Sequence, residues 1–263
     1  IDAQGLLDLK QPVGYLAIGA VIFGGSVVVG LSDQDVYAHI GSRSRVTAGD
    51  SNLFTNNGNV TVKAGFTENV NGSAIAGAGG ALVGLAAQGI VYKDTSDQNA
   101  YLDASSEILR AREVTVQANA DRTFDSDTPA VTVAVGLGLS VGVAIAEVEI
   151  DGDTIAEVRE GAKIGQGSDA VRAMVIQSDA KTDVTAKTIA VSAGVGIAGA
   201  VNKASVDVEG EVAARIGDNA NIDLSGLFGV SLDMQATSET ETEVGASGVS
   251  VATIAVGIHF AAA

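Results

Sequence analysis

The chain has 263 residues and a net charge of −17, from 32 acidic and 15 basic side chains, and it contains no cysteine. That balance argues against a nucleic-acid partner and against docking on anionic headgroups. The missing cysteines exclude disulfides and thiolate metal sites. Apolar residues reach 46% while aromatics stay at 4%, so the apolar mass is Val, Ala, Ile and Leu among 33 glycines. Small side chains at this density let neighbouring backbones approach closely, which suits stacked sheets.

In chain order, an apolar-x-apolar pair, Leu7/Leu9, precedes a Gly-rich apolar stretch over 16–31. Ala38-x-Ile40-x5-Val46 follows, then a polar loop, then a second apolar pair, Val60/Val62. The order returns as 75–92, Ala100/Leu102/Ile108 and Val114/Val116. It returns again as 130–150, Ala156/Val158/Ile164 and Met174/Ile176, and as 190–208, Ala214/Ile216/Ile222 and Leu232/Met234. The stretch 249–263 starts a further copy. Steps from Leu9 through Val62, Val116 and Ile176 to Met234 are 53, 54, 60 and 58 residues. Such a period predicts units that bury their apolar faces by stacking on one another.

The Gly-rich stretches alternate with period two. From 131 to 145 the odd positions are Val131, Val133, Val135, Leu137, Leu139, Val141, Val143 and Ile145, and the even ones are Gly, Ala, Ser or Thr. Helices need period 3.6 and disfavour this much glycine and β-branching, so the stretches predict strands. Bulky residues shift to even positions at Val148 and Ile150, and likewise at Val206 and Val208, which predicts a bulge or corner there. The small-residue face, including Gly136, Gly138, Gly142, Gly194 and Gly196, is expected where two sheets or two chains approach closer than the usual ~10 Å. Residues 129–146 carry no charge and are long enough for a membrane helix, but alternation and recurrence argue against one. Pro12 and Pro129 precede Gly-rich stretches, where proline can start a strand.

The fold expected is all-β: a repetitive parallel β-solenoid (β-helix) with a repeat of ~53–60 residues. Residues 1–263 form one domain of about four and a half repeats. Ile40, Leu102, Val158 and Ile216 are expected to form one interior ladder, and Val46, Ile108, Ile164 and Ile222 another. Both ends fall inside a repeat, which predicts a segment of a longer chain or end-to-end stacking of subunits.

Site-like signals are few. His39 and His259 are the only histidines and occupy non-equivalent places, and no Gly-x-Ser-x-Gly elbow or phosphate-binding loop is present. No catalytic or cofactor-binding residues are predicted. The acidic clusters are Asp33/Asp35, Asp94/Asp97, Asp121/Asp125/Asp127, Asp151/Asp153 and Asp218. Oxygen ligands of this kind suit Ca²⁺, and the candidates are Asp33, Asp35, Asp151 and Asp153, in corresponding turns. The glycine-rich nonapeptide of calcium β-rolls is absent, and turn chemistry alone accounts for aspartate there.

Ala38-His39-Ile40-Gly41 and Ala214-Arg215-Ile216-Gly217, with Val60-Thr61-Val62-Lys63-Ala64 and Val114-Thr115-Val116-Gln117-Ala118, resemble repeats of large secreted bacterial surface proteins. These are the filamentous adhesins and leukotoxin-like β-strand-repeat proteins. Asp103 and Arg159 replace the glycine after Ala-x-[Leu/Val] in two copies. The resemblance implies an extended right-handed solenoid, export to the bacterial cell surface or matrix, and a structural role without catalytic residues. The function expected is an extracellular fibre or stalk segment that contacts copies of itself and host-surface or matrix glycans, with no insertion into a lipid bilayer. The alternatives are a carbohydrate-active β-helix enzyme and a toxin or pore-forming module.

Overall fold

A computed structural model describes residues 1–49, 58–134, 138–166, 171–225 and 229–263. Among these residues there are strands and turns and no helix. The strands are β1 (Asp2–Ser32), β2 (Val36–Ile40), β3 (Arg45–Thr47), β4 (Asn59–Asp94), β5 (Gln98–Leu102), β6 (Glu107–Ala134), β7 (Leu139–Asp151) and β8 (Thr154–Val158). They continue as β9 (Lys163–Ile164), β10 (Val171–Gly194), β11 (Ile197–Glu209), β12 (Val212–Ile216), β13 (Asn221–Ile222), β14 (Ser231–Val251) and β15 (Ile254–Ala262).

Among the described residues every strand pairing is parallel. Eleven strands form one curled sheet, and β12, β8, β5 and β2 form a second. Partners lie far apart in sequence, 54 residues between Asn59 and Glu113 and 62 between Val36 and Gln98. Strands β1, β4, β6, β10 and β14 lie side by side, as do the later part of β1, the later part of β4, and β7, β11 and β15.

The long strands double back. In β4, even residues from 60 to 80 are buried, the alternation breaks at Ala81–Leu82, and it resumes from 84 to 94. At the break a Cβ on Gly80 would collide with the carbonyl of Val83, so the chain reverses within three residues. Beyond it, the amide of Ala76 donates to Gln88 Oε1 at 2.7 Å across the interior. A leading arm (59–80) thus faces a returning arm (83–94).

Side-chain size follows the gap between the arms. Where β2, β5 and β8 close the third side, the interior holds Val62, Leu102, Ile108, Val116, Val158 and Ile176, all essentially buried. Midway it holds Val70, Ile90, Tyr92, Phe124 and Val148. Toward the fold-back the apolar interior narrows largely to alanine, with Ala130, Ala144, Ala190 and Ala200 in one cluster and Ala76, Ala78 and Ala86 in another. There Ser192 Oγ donates to the Ser140 carbonyl at 2.8 Å, so a serine side chain spans the whole gap.

This taper explains the shift in bulky residues near Ile145 without the bulge or corner expected there. In β7, Ser140, Gly142, Ala144, Ala146, Val148 and Ile150 all point inward on one unbroken face. The inward residues grow because the gap widens, and the outward ones change from Val141, Val143 and Ile145 to Glu147 and Glu149. Gly136, named with the small-residue face, lies outside the described residues.

Two other expectations are corrected by the register. Asp2 pairs with Lys63, so Leu9 pairs with Val70 and not with Val62. Leu7/Leu9 is therefore not equivalent to Val60/Val62; Leu9 packs on the middle of the core, and its apolar-x-apolar spacing matched by parity alone. Pro129 lies inside β6 rather than at its start, and the β4–β6 ladder lapses between the Ser73–Asp127 and Ala76–Ala130 pairs. Without an amide hydrogen, proline cannot complete the ladder there.

The turns between β2 and β3, β5 and β6, β8 and β9, and β12 and β13 share one device. Arg43, Ser105, Gly161 and Asn219 all have positive φ, near 57°, 59°, 69° and 56°. Only the third has glycine, the residue that takes this conformation without a Cβ penalty.

Candidate interaction surfaces

The predicted ladder residues lie side by side. Ile40 pairs with Leu102, Leu102 with Val158 and Val158 with Ile216. Ile40, Leu102 and Val158 are buried, and Ile216 is exposed. In the short ladder of β3, β6, β9 and β13, Val46 pairs with Ile108, Ile108 with Ile164 and Ile164 with Ile222. Complete burial of a leucine such as Leu102 contributes about 2–3 kcal/mol.

Of the candidate calcium residues, Asp35 and Asp153 hold backbone amides of neighbouring turns. Asp35 Oδ1 accepts from the amide of Asp97 at 3.3 Å, Asp97 Oδ1 from the amide of Asp153 at 2.9 Å, and Asp153 Oδ1 from the amide of Glu211 at 2.7 Å. Each aspartate therefore fastens its own turn to the next. Burial raises the Asp97 pKa, opposed by that hydrogen bond and reinforced by the carboxylates of Asp153 and Asp35. Asp151 pairs with Glu209 at the end of β7, and Asp33 is exposed in the turn before β2. Among the described residues, no three His, Cys, Asp or Glu side chains come together as a metal-binding group. His39 stacks on Tyr101 with ring centroids 4.9 Å apart, and His259 Nδ1 lies 2.9 Å from Asn202 Nδ2.

A charged cluster missed in the sequence sits inside the core. Arg122 is 2% exposed; it donates to Asp94 Oδ2 at 2.7 Å and to the Ser96 carbonyl and Gln98 Oε1, each at 2.8 Å. Its guanidinium lies 5.7 Å from the centre of the Phe66 ring. Glu68, Arg122's register partner, accepts a hydrogen bond from Tyr92. Burial, and then the Asp94 carboxylate, push Glu68 up to about 7, while burial and Glu68 raise the Tyr92 hydroxyl. Arg122, Asp94 and Glu68 are each at most 3% exposed, so these charges are compensated within the core rather than by solvent. Glu68 and Arg122 share inward parity with Phe66, Val70, Ala120 and Phe124, and that parity was the signal available in the sequence.

Two outer surfaces remain. Across the leading arms runs a shallow polar groove of about 560 Å³, whose walls include Lys63, Asn119, Asp121, Asp179, Lys181 and Glu239. The second surface is apolar. The bulky residues of the Gly-rich stretches point outward from the thin two-layer blade formed by the arms, leaving Phe23 67% and Ile18 82% exposed. The tip is apolar as well, with Leu82 59% and Val195 55% exposed.

No protein-family profile, curated protein or solved structure matches the chain.

Proposed function

We propose that the chain is a segment of a parallel β-solenoid that serves as a structural fibre or stalk at the bacterial cell surface, as a single continuous domain. The observation that carries this reading is the register. Strands 54 to 62 residues apart lie directly beside each other in both sheets, so each unit makes one coil on the last. Further units, from the same chain or another copy, extend the stack by about 4.8 Å each. The role is mechanical: in-register parallel ladders resist shear, and the acidic surface keeps a long apolar-cored fibre dispersed. No catalytic residue, cofactor or calcium is required.

Immunogold labelling of the producing bacterium with antibody to the leading-arm face tests this reading. Label along filaments or matrix outside the cell supports it, and label confined to the cytoplasm refutes it.

A second reading, a saccharide-binding or saccharide-cleaving surface, draws on the groove beside Asp121, Asp179 and Glu239. Lys181 Nζ sits 2.7 Å from Asp183 Oδ2, as in an ordinary solvent-facing ion pair, which favours the structural role. New reducing ends from acidic polysaccharides incubated with the chain would favour the enzyme.

A further inference from the structure

We infer that the outer face of the returning arms is a docking surface for a second copy of this chain, so that solenoid segments associate side by side. Register defines the face. Four outward rows cross five strands, from Val21, Val83, Leu139, Ile197 and Ile254 to Val27, Gly89, Ile145, Lys203 and Phe260. Of these twenty positions only Lys203 is charged, and it is neutralised by Glu147 beside it. Phe23, Leu85, Val141, Val143, Val201 and Ile258 lie between those rows.

Parallel sheets are almost always covered on both faces, and a contiguous apolar patch of this kind marks an interaction site. Strand spacing and rise give the face roughly 600 Å², so two copies meeting here bury about 1,200 Å², the lower bound of stable interfaces. Charge selects the site of contact. Each copy carries −17, and the stretches 11–32, 69–92, 128–146, 188–202 and 244–263 lack Asp, Glu, Lys and Arg. Stacked together, they form the blade on which two acidic molecules can meet without opposing charges.

Lipid is the other chemistry that covers apolar surface, and the apolar tip would suit it. Two observations favour protein. Acidic residues lie at the blade's base on both sides, Glu147 and Glu149 on one and Asp125 and Asp127 on the other, where anionic headgroups would repel them. Among the described residues the outer edges of β1 and β15 also have no strand partner, and unpaired backbone groups are costly in hydrocarbon. Sheet-to-sheet packing leaves those edges in water or free for further coils. The leading-arm face is a poorer surface, because Gly19, Gly79 and Gly80 leave a cleft between Ile18 and Val133.

Sedimentation equilibrium of the whole 263-residue chain, from about 1 to about 200 µM at low and high salt, tests the inference. The expected mass rises from 26.2 kDa toward twice that value or more, and rises further when salt screens the acidic repulsion. Val143→Glu should weaken association at least tenfold, and Val131→Glu on the leading arm should not. If Val143→Glu does not fold by circular dichroism, Val143→Thr is read instead, with a smaller loss expected. A monomer at all concentrations overturns the inference, as does association that Val143→Glu or its Thr substitute leaves unchanged. A monomer that floats with phosphatidylcholine vesicles assigns the face to lipid and overturns it too. End-to-end growth does not involve Val143, so a failure of the fibre reading is distinguished from a failure of this one.

Discussion

Arg122 Nε donates to Asp94 Oδ2 at 2.7 Å, with the two side chains 3% and 0% exposed. The bond joins a leading arm to a returning arm of the neighbouring coil, where the interior changes from aliphatic to aromatic. Removing one partner leaves the other charged and buried, which costs about 3–5 kcal/mol. Arg122→Met should therefore lower the urea midpoint sharply. Adding Asp94→Asn should recover part of the loss, because the orphaned charge is gone.

Glu68 predicts a particular pH dependence. Its folded pKa, about 7, lies above the ordinary 4.5. The folded state thus holds the proton more tightly, and this stability is fully present below about pH 4.5 and lost as pH rises through about 7. Denaturation at pH 5 and pH 8 should show wild type losing on the order of 1–3 kcal/mol more than Glu68→Gln. Equal slopes for the two proteins would refute the assignment.

The narrow end should reject bulk. Ala144 is fully buried with Ala130, Ala190 and Ala200 between the arms. Ala144→Leu should destabilise by about 1–3 kcal/mol or more through overpacking, while Ile145→Leu, on the outward face, should change the melting temperature little.

The ladder should be uneven along its length. Leu102 lies fully buried between Ile40 and Val158, and Leu102→Ala should cost about 2–5 kcal/mol. Ile216, on the edge strand β12 and 36% exposed, should lose clearly less on the same truncation. Thermal melts of the two variants give the comparison.

Calcium should leave stability unchanged beyond its effect as a salt. Asp35, Asp97 and Asp153 use carboxylate oxygens to accept backbone amides of the next turn. A calcium-specific rise in melting temperature, absent in Asp153→Asn, would contradict this.

Strand character and the positions of Ile40, Leu102, Val158 and Ile216 were legible because period two and the Ala-x-apolar spacing are local signals. Which face turns inward was not. Valine outside and alanine inside reverses the usual order, and only the narrow gap, seen where Ser192 reaches the Ser140 carbonyl, makes the small face the buried one. The offset of Leu9 was also hidden, since shifting a strand by an even number of residues preserves its alternation. Asp94 stood in the sequence only as half of the acidic cluster Asp94/Asp97, because its partner Arg122 is 28 positions away and on another coil.

The most direct test of the one-coil-per-unit arrangement uses cysteine pairs, for which a chain without native cysteine is well suited. His39 and Tyr101 are register partners on β2 and β5, with their rings stacked. Neighbouring strands place such Cα atoms about 4.8 Å apart, within disulfide reach. His39→Cys with Tyr101→Cys should form an intramolecular disulfide under mild oxidation. His39→Cys with Glu157→Cys, two strands apart at about 9.6 Å, should not. Cross-linking of the second pair as readily as the first, or failure of the first, would contradict the coil register.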